Sequence, residues 1–145
     1  MFFWGHRDAE ETVFTKLSEA VEQHIVEYGV TDFFVGHYGQ FDALAARAVK
    51  DAKKRHPEVT LTLVLPYHPF DRPTPTPKGV DKTFYPPRME TVPKKVAIVR
   101  ANRYMADTCD FLIAYVWHPA SNALELTEFA QQRGKIYITH LSREI

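Results

Sequence analysis

Three short clusters carry the residue types that could do chemistry. Gly36-His37-Tyr38-Gly39 follows an apolar run and precedes an alanine-rich segment with Asp42 in its first turn. Gly5-His6-Arg7 follows the apolar opening, and Pro66-Tyr67 with His68 follows a third apolar run. Glycines where a strand gives way to a helix leave backbone N–H groups open and let an anion approach closely, which is the arrangement used for phosphates. Arg7 beside Gly5 suits bidentate recognition of a phosphate or carboxylate, or else an ion pair with Asp8 or Asp42. The pattern predicts a nucleotide-like small molecule, contacted by Gly5, His6, Arg7, Gly36, His37, Tyr38, Gly39, Asp42, Pro66, Tyr67, Arg103 and His118.

Two carboxylates are candidates for catalysis. Glu125 and Glu128 fall in the first turns of a helix predicted over about Asn122–Arg133, although Asn122 and Glu125 also have the spacing of a capping box. Either glutamate is a candidate catalytic carboxylate. No Gly-x-Ser-x-Gly elbow or Walker loop is present. The histidines show no close ligand pair, so no metal is expected. No cofactor is expected either.

The elements that must position these residues are readable from periodicity. Strands are predicted at Phe2–Trp4, Asp32–Val35, Thr60–Leu65, Phe111–Val116 and Ile136–Thr139. Val13, Leu17, Val21 and Ile25 recur every four residues, giving a helix that ends near Gly29, with Asp8 and Glu11 as its capping box. A second helix runs from about Phe41 to Arg55 with Leu44, Ala48 and Ala52 inward, and a third covers Lys94–Thr108. Between Pro66 and Pro93 the periodicity stops, and eight of the ten prolines lie there. A loop of that length in a compact domain is functional or mobile.

Alternating strands and helices with short, nearly all-apolar strands predict a three-layer Rossmann-like α/β domain with a mostly parallel five-stranded sheet. Ligands of such sheets bind beyond the carboxyl ends of the strands. His6, His37, His68, His118 and His140 each follow a predicted strand, so a parallel sheet gathers them on one rim, whereas His24 and His56 fall on helices and read as solvated.

The order of motifs resembles the SLOG superfamily, the Rossmann-like group that includes DNA-processing protein A and the Lonely-guy phosphoribohydrolases, and most resembles its short bacterial members. The resemblance rests on Gly5-His6-Arg7, on the stretch from Phe33 through Asp42, and on Leu63-Val64-Leu65-Pro66-Tyr67. It extends through Asn102–Asp110 into Phe111-Leu112-Ile113-Ala114-Tyr115 and on to Gly134-Lys135-Ile136-Tyr137-Ile138. It implies a nucleotide or nucleotide-derived ligand at the strand ends. The chain departs from the Lonely-guy enzymes where they carry a glycine-rich run after the fourth predicted strand. Here it reads His118-Pro119-Ala120-Ser121-Asn122-Ala123-Leu124-Glu125, and Arg100 and Arg103 straddle the place of their arginine.

Three functions follow in order of preference. The first is binding or sensing of a nucleotide-like molecule, with Gly39→Val expected to abolish binding and spare the fold. The second is N-glycosidic hydrolysis of a nucleoside monophosphate. The third is binding of single-stranded DNA, against which stands a formal net charge of zero in 145 residues. A lone cysteine, Cys109, excludes an internal disulfide and reads as buried. The opening Met1–Trp4 is too short for a signal-peptide core, and no apolar stretch spans a bilayer. A soluble, cytoplasmic protein is therefore expected, with no membrane partner. Phe84 and Tyr85 in the proline-rich loop point to a self-association surface and a homodimer.

Overall fold

The computed structural model describes residues 1–5, 7–115, 128 and 137–141. Among the described residues the strands and longer helices run in the order β1 (Phe2–Gly5), α1 (Val13–Tyr28), β2 (Asp32–Val35), α2 (Gln40–Lys53), β3 (Thr60–Val64), β4 (Lys82–Phe84), α3 (Ala97–Thr108), β5 (Phe111–Tyr115) and β6 (Tyr137–His140). All pairings are parallel, in the order β4-β3-β2-β1-β5-β6. The chain therefore walks outward from β1 to β4, then returns through α3 to the other side of β1. The switch in direction lies between β1 and β5, where an open α/β sheet forms its ligand crevice.

Pleating splits the apolar strands between two faces. Phe3, Phe33, Val35, Leu61, Leu63, Ile113 and Tyr115 pack with α1 and α2, while Phe2, Trp4, Val64 and Leu112 pack with α3. Helices on both faces of the sheet give three layers, as the all-apolar strands require. On α1, Val13, Leu17, Val21 and Ile25 point inward as their spacing predicts, and Leu44, Ala48 and Ala52 do so on α2. Leu17 is fully buried, and truncating such a leucine to alanine costs about 2–5 kcal/mol.

Among the described residues the sheet has six strands rather than five. β4 lies inside the proline-rich stretch, pairs Thr62–Val64 of β3 with Lys82–Phe84, and forms one edge. Three residues are too few for period-two alternation to be visible. Phe84 and Tyr85 are also less open than the sequence suggested: Phe84 packs near Phe34 and Tyr104, with centroids at 6.2 and 5.9 Å. The aromatic ring that the loop exposes is Phe70, at 88%.

Several smaller expectations are corrected. Asp8 and Glu11 do not cap α1, which begins after Thr12 with no side-chain cap bond; Glu11 instead pairs with Arg47. His24 is buried, with Nδ1 2.6 Å from the Ala20 carbonyl oxygen. His56 is half-buried and meets the Glu22 carboxylate at 2.8 Å. Cys109 is half-buried, and loss of water around its thiol pushes its pKa up. Among the described residues no helix is long and apolar enough to cross a membrane.

Candidate functional site

Parallel strands bring the exits of β1, β2, β3 and β4 to one rim. Two contacts fix the loop after β1 to the start of α2. The Gln40 N–H donates to the Arg7 carbonyl at 2.8 Å, and a Cβ on Gly39 would lie 2.7 Å from the Arg7 Cα. Gly39 has a φ of +157°, but the close passage of another backbone is the stronger demand for glycine here. The Gly5 site is filled as well. A Cβ there would stand 2.5 Å from the Phe41 ring. Phe41 in turn stacks on Tyr115 of β5 with centroids at 5.9 Å. Gly5 thus makes room for a core aromatic ring.

Asp42 occupies the inside of the glycine turn. Its Oδ2 accepts the Tyr38 N–H at 3.1 Å and lies 2.9 Å from where a Cβ on Gly36 would sit. Burial drives its pKa up to about 6, against the Tyr38 amide and the Arg7 charge, which both favour the ionised form. The first turn of α2 is therefore already supplied with an acidic group of the chain's own.

Aromatic rings and a guanidinium gather alongside. His37 and Tyr38 lie 4.1 Å apart, Tyr38 meets Tyr67 edge-on at 6.3 Å, and the Arg72 guanidinium sits 4.0 Å over the Tyr67 ring. The Tyr67 hydroxyl donates to the Lys94 carbonyl at 3.1 Å. Farther along, His68 and Tyr85 meet edge-on at 5.2 Å. Loss of water lowers the pKa of His37 and raises that of Tyr38. Behind Tyr67 opens a cleft of about 150 Å³, bordered by Pro66, His68, Arg72, Tyr85 and Lys94 among others. Small-molecule pockets commonly run to about 300–1,000 Å³, so this cleft alone is smaller than such a pocket.

Of the residues picked from sequence, Gly5, Arg7, Gly36, His37, Tyr38, Gly39, Asp42, Pro66 and Tyr67 lie along the ends of β1, β2 and β3. Arg103 lines a different groove, on the outer side of α3. Glu128 is helical and exposed. His6, His118 and Glu125 lie outside the described residues, as does most of the helix predicted over Asn122–Arg133. His140 is the last residue of β6 rather than the residue after it. Sequence reasoning missed Arg72. Its signal was the Pro69 and Pro73 bracket: the Asp71 and Arg72 N–H groups both turn back onto the His68 carbonyl, at 2.9 and 3.0 Å. That turn returns the guanidinium to Tyr67.

No family model matches the chain, and no curated protein matches it either. Among solved structures it is similar to DNA processing protein A (DprA) from Streptococcus pneumoniae, with a TM-score of 0.70 and 18% identity. The match covers 99% of this chain and 50% of that one, so the chain spans about half the neighbour's length. At this identity the likeness speaks for architecture: the protein has a DprA-like Rossmann fold.

Proposed function

We propose that the protein binds a nucleotide or nucleotide-derived small molecule across the rim formed by the ends of β1, β2 and β3. The observation that carries this reading is the group of Tyr38, Tyr67 and Arg72. Half-buried rings of known orientation accept a nucleobase by stacking, and a guanidinium already stacked on one of them keeps its N–H edge for an anion. The resemblance to the SLOG superfamily supports the same ligand class. Asp42 modifies the first expectation: a carboxylate inside the glycine turn favours a hydroxyl or amino donor there and directs a phosphate toward Arg7 or Arg72.

A thermal-shift screen with nucleosides, nucleoside mono- to triphosphates and dinucleotides tests the proposal. A ligand at a hundredfold its dissociation constant stabilises the fold by about 2.7 kcal/mol, or roughly 5–10 °C for a chain of this size. Tyr67→Ala and Arg72→Gln should remove that shift. A panel in which no member moves the wild-type melting temperature overturns the proposal.

Asp42 also favours a second reading, hydrolysis of an N-glycosidic bond in a nucleoside monophosphate. A general acid needs a proton near neutral pH, and a carboxyl with a pKa of about 6 can hold one. Release of free base from AMP that Asp42→Asn abolishes, while Glu128→Gln leaves it unchanged, would move the catalytic role to Asp42. Single-stranded DNA comes third. The chain has no net positive charge, and the neighbour named for DNA processing is about twice as long.

A further inference from the structure

Asp42 carries one oxygen more than its turn uses. Oδ2 accepts the Tyr38 N–H at 3.1 Å, whereas Oδ1 accepts no hydrogen bond from a described residue. Gly36 leaves both oxygens uncovered, since a Cβ there would stand 2.9 Å from Oδ2 and 4.0 Å from Oδ1. Nor is Oδ1 sealed inside the chain: among the described residues the enclosed side-chain polar atom that lacks a partner is the Ser18 Oγ. A carboxylate oxygen that has lost much of its water and gained no donor is satisfied by a ligand that brings one.

The position of Asp42 selects that donor. Its carboxylate meets the aromatic platform at the backbone of Tyr38. Arg72 meets the platform at the opposite end, covering the Tyr67 ring and acting by its charge on the Tyr38 hydroxyl. Building on the proposed rim ligand, we infer that Asp42 Oδ1 accepts the 2′-hydroxyl of a ribonucleotide whose base lies on Tyr38 and Tyr67. In a nucleotide the 2′-carbon adjoins the carbon that bears the base, so the 2′-hydroxyl is the sugar donor nearest the rings. A hydrogen bond to an ionised acceptor is one of the stronger kinds, and a 2′-deoxy sugar leaves the acceptor empty. The 2′-hydroxyl is also the group by which a protein separates ribose from deoxyribose. The rim is therefore selective for ribonucleotides.

Calorimetric titration of the full chain with AMP, GMP, CMP and UMP, each beside its 2′-deoxy counterpart, tests the assignment. We expect a ribonucleotide to bind about tenfold or more tightly than its 2′-deoxy form. Asp42→Asn should bring that pair to within about threefold by weakening the ribonucleotide. Tyr67→Ala should weaken both forms and leave their ratio intact. Equal affinity of the two forms for the wild type overturns the inference and leaves the rim reading standing. A ratio that survives Asp42→Asn, or a loss of both forms alike in that variant, overturns it too and moves the hydroxyl to another acceptor. If no ribonucleotide of the four binds, the inference falls, and the wider thermal-shift panel decides the rim reading separately.

Discussion

The Asp42 carboxylate stands in the space that Gly36 leaves open, its Oδ2 2.9 Å from where a Cβ on Gly36 would lie. From there it accepts the Tyr38 N–H at 3.1 Å. A turn that looks from its glycines like a phosphate cradle is thus partly closed by an acid four residues past Tyr38. The acid fits because it is protonatable: burial raises its pKa from 3.8 to about 6.

That shift has a definite sign. The folded state holds the Asp42 proton more tightly than the unfolded chain, so its stabilising contribution is complete below pH 4 and disappears as pH rises through about 6. The full excursion corresponds to about 3 kcal/mol at most. Asp42→Asn keeps an oxygen for the Tyr38 N–H and carries no charge. Urea unfolding at pH 4, 5, 6 and 7.5 should show the variant gaining on wild type as pH rises. Parallel curves would mean that Asp42 titrates normally.

Gly39→Val should not be a clean ligand-binding variant. A Cβ at Gly39 would lie 2.7 Å from the Arg7 Cα, and a backbone atom cannot swing aside as a side chain can. The expectation that valine spares the fold is therefore replaced by one of lost stability. Overpacking costs about 1–3 kcal/mol, with the Gln40–Arg7 hydrogen bond also at risk. The urea midpoint measures it, and an unchanged midpoint would show that the two loops can part freely.

Gly5→Ala tests the neighbouring contact. Its methyl group would press on the Phe41 ring, whose stacking on Tyr115 ties α2 to β5. A loss of about 1–3 kcal/mol is expected, smaller in a Phe41→Leu background because the ring is gone. A double-mutant cycle reads that coupling directly. Additive effects would place the strain elsewhere.

How far the sequence discloses this molecule depends on the range of the interaction. The inward faces of α1 and α2 and the β2 segment are local patterns of period 3.6 or 2, and they appear as expected at Leu17, Leu44 and Asp32–Val35. The common rim follows from strand direction, which the alternation of strands with crossover helices makes parallel. β4 was invisible because three residues between prolines carry no periodicity, and its place is set by pairing with Thr62–Val64. The close packing at Gly5 and Gly39 was hidden for a related reason. Glycine reports that something approaches closely, and only the fold reveals that the close neighbours are Phe41 and Arg7. Arg72 rests on a turn that the Pro69 and Pro73 bracket announces, but its return to Tyr67 is visible only in the fold.

His24 gives the last prediction, opposite in sign to that of Asp42. Its position on α1 looks solvated in sequence, yet the ring is buried, edge-on to Tyr28 at 5.2 Å and to Phe111 at 5.7 Å. Nδ1–H donates to the Ala20 carbonyl at 2.6 Å, leaving Nε2 to accept from the Thr139 hydroxyl at 3.4 Å. That is the neutral tautomer, and burial holds the pKa below its usual 6.5. The unfolded chain therefore takes up the proton first. Stability is complete above pH 6.5 and falls as pH drops below it, by about 1.4 kcal/mol for each unit of depression. His24→Leu, which keeps an apolar body against Phe111, should remove this acid-sensitive component. Between pH 7.5 and 5 the wild type then combines a loss at His24 with a gain at Asp42, and each single variant exposes the other's slope. If His24→Leu follows the wild-type pH profile, the ring is hydrated in solution and the contact with Thr139 does not hold it neutral.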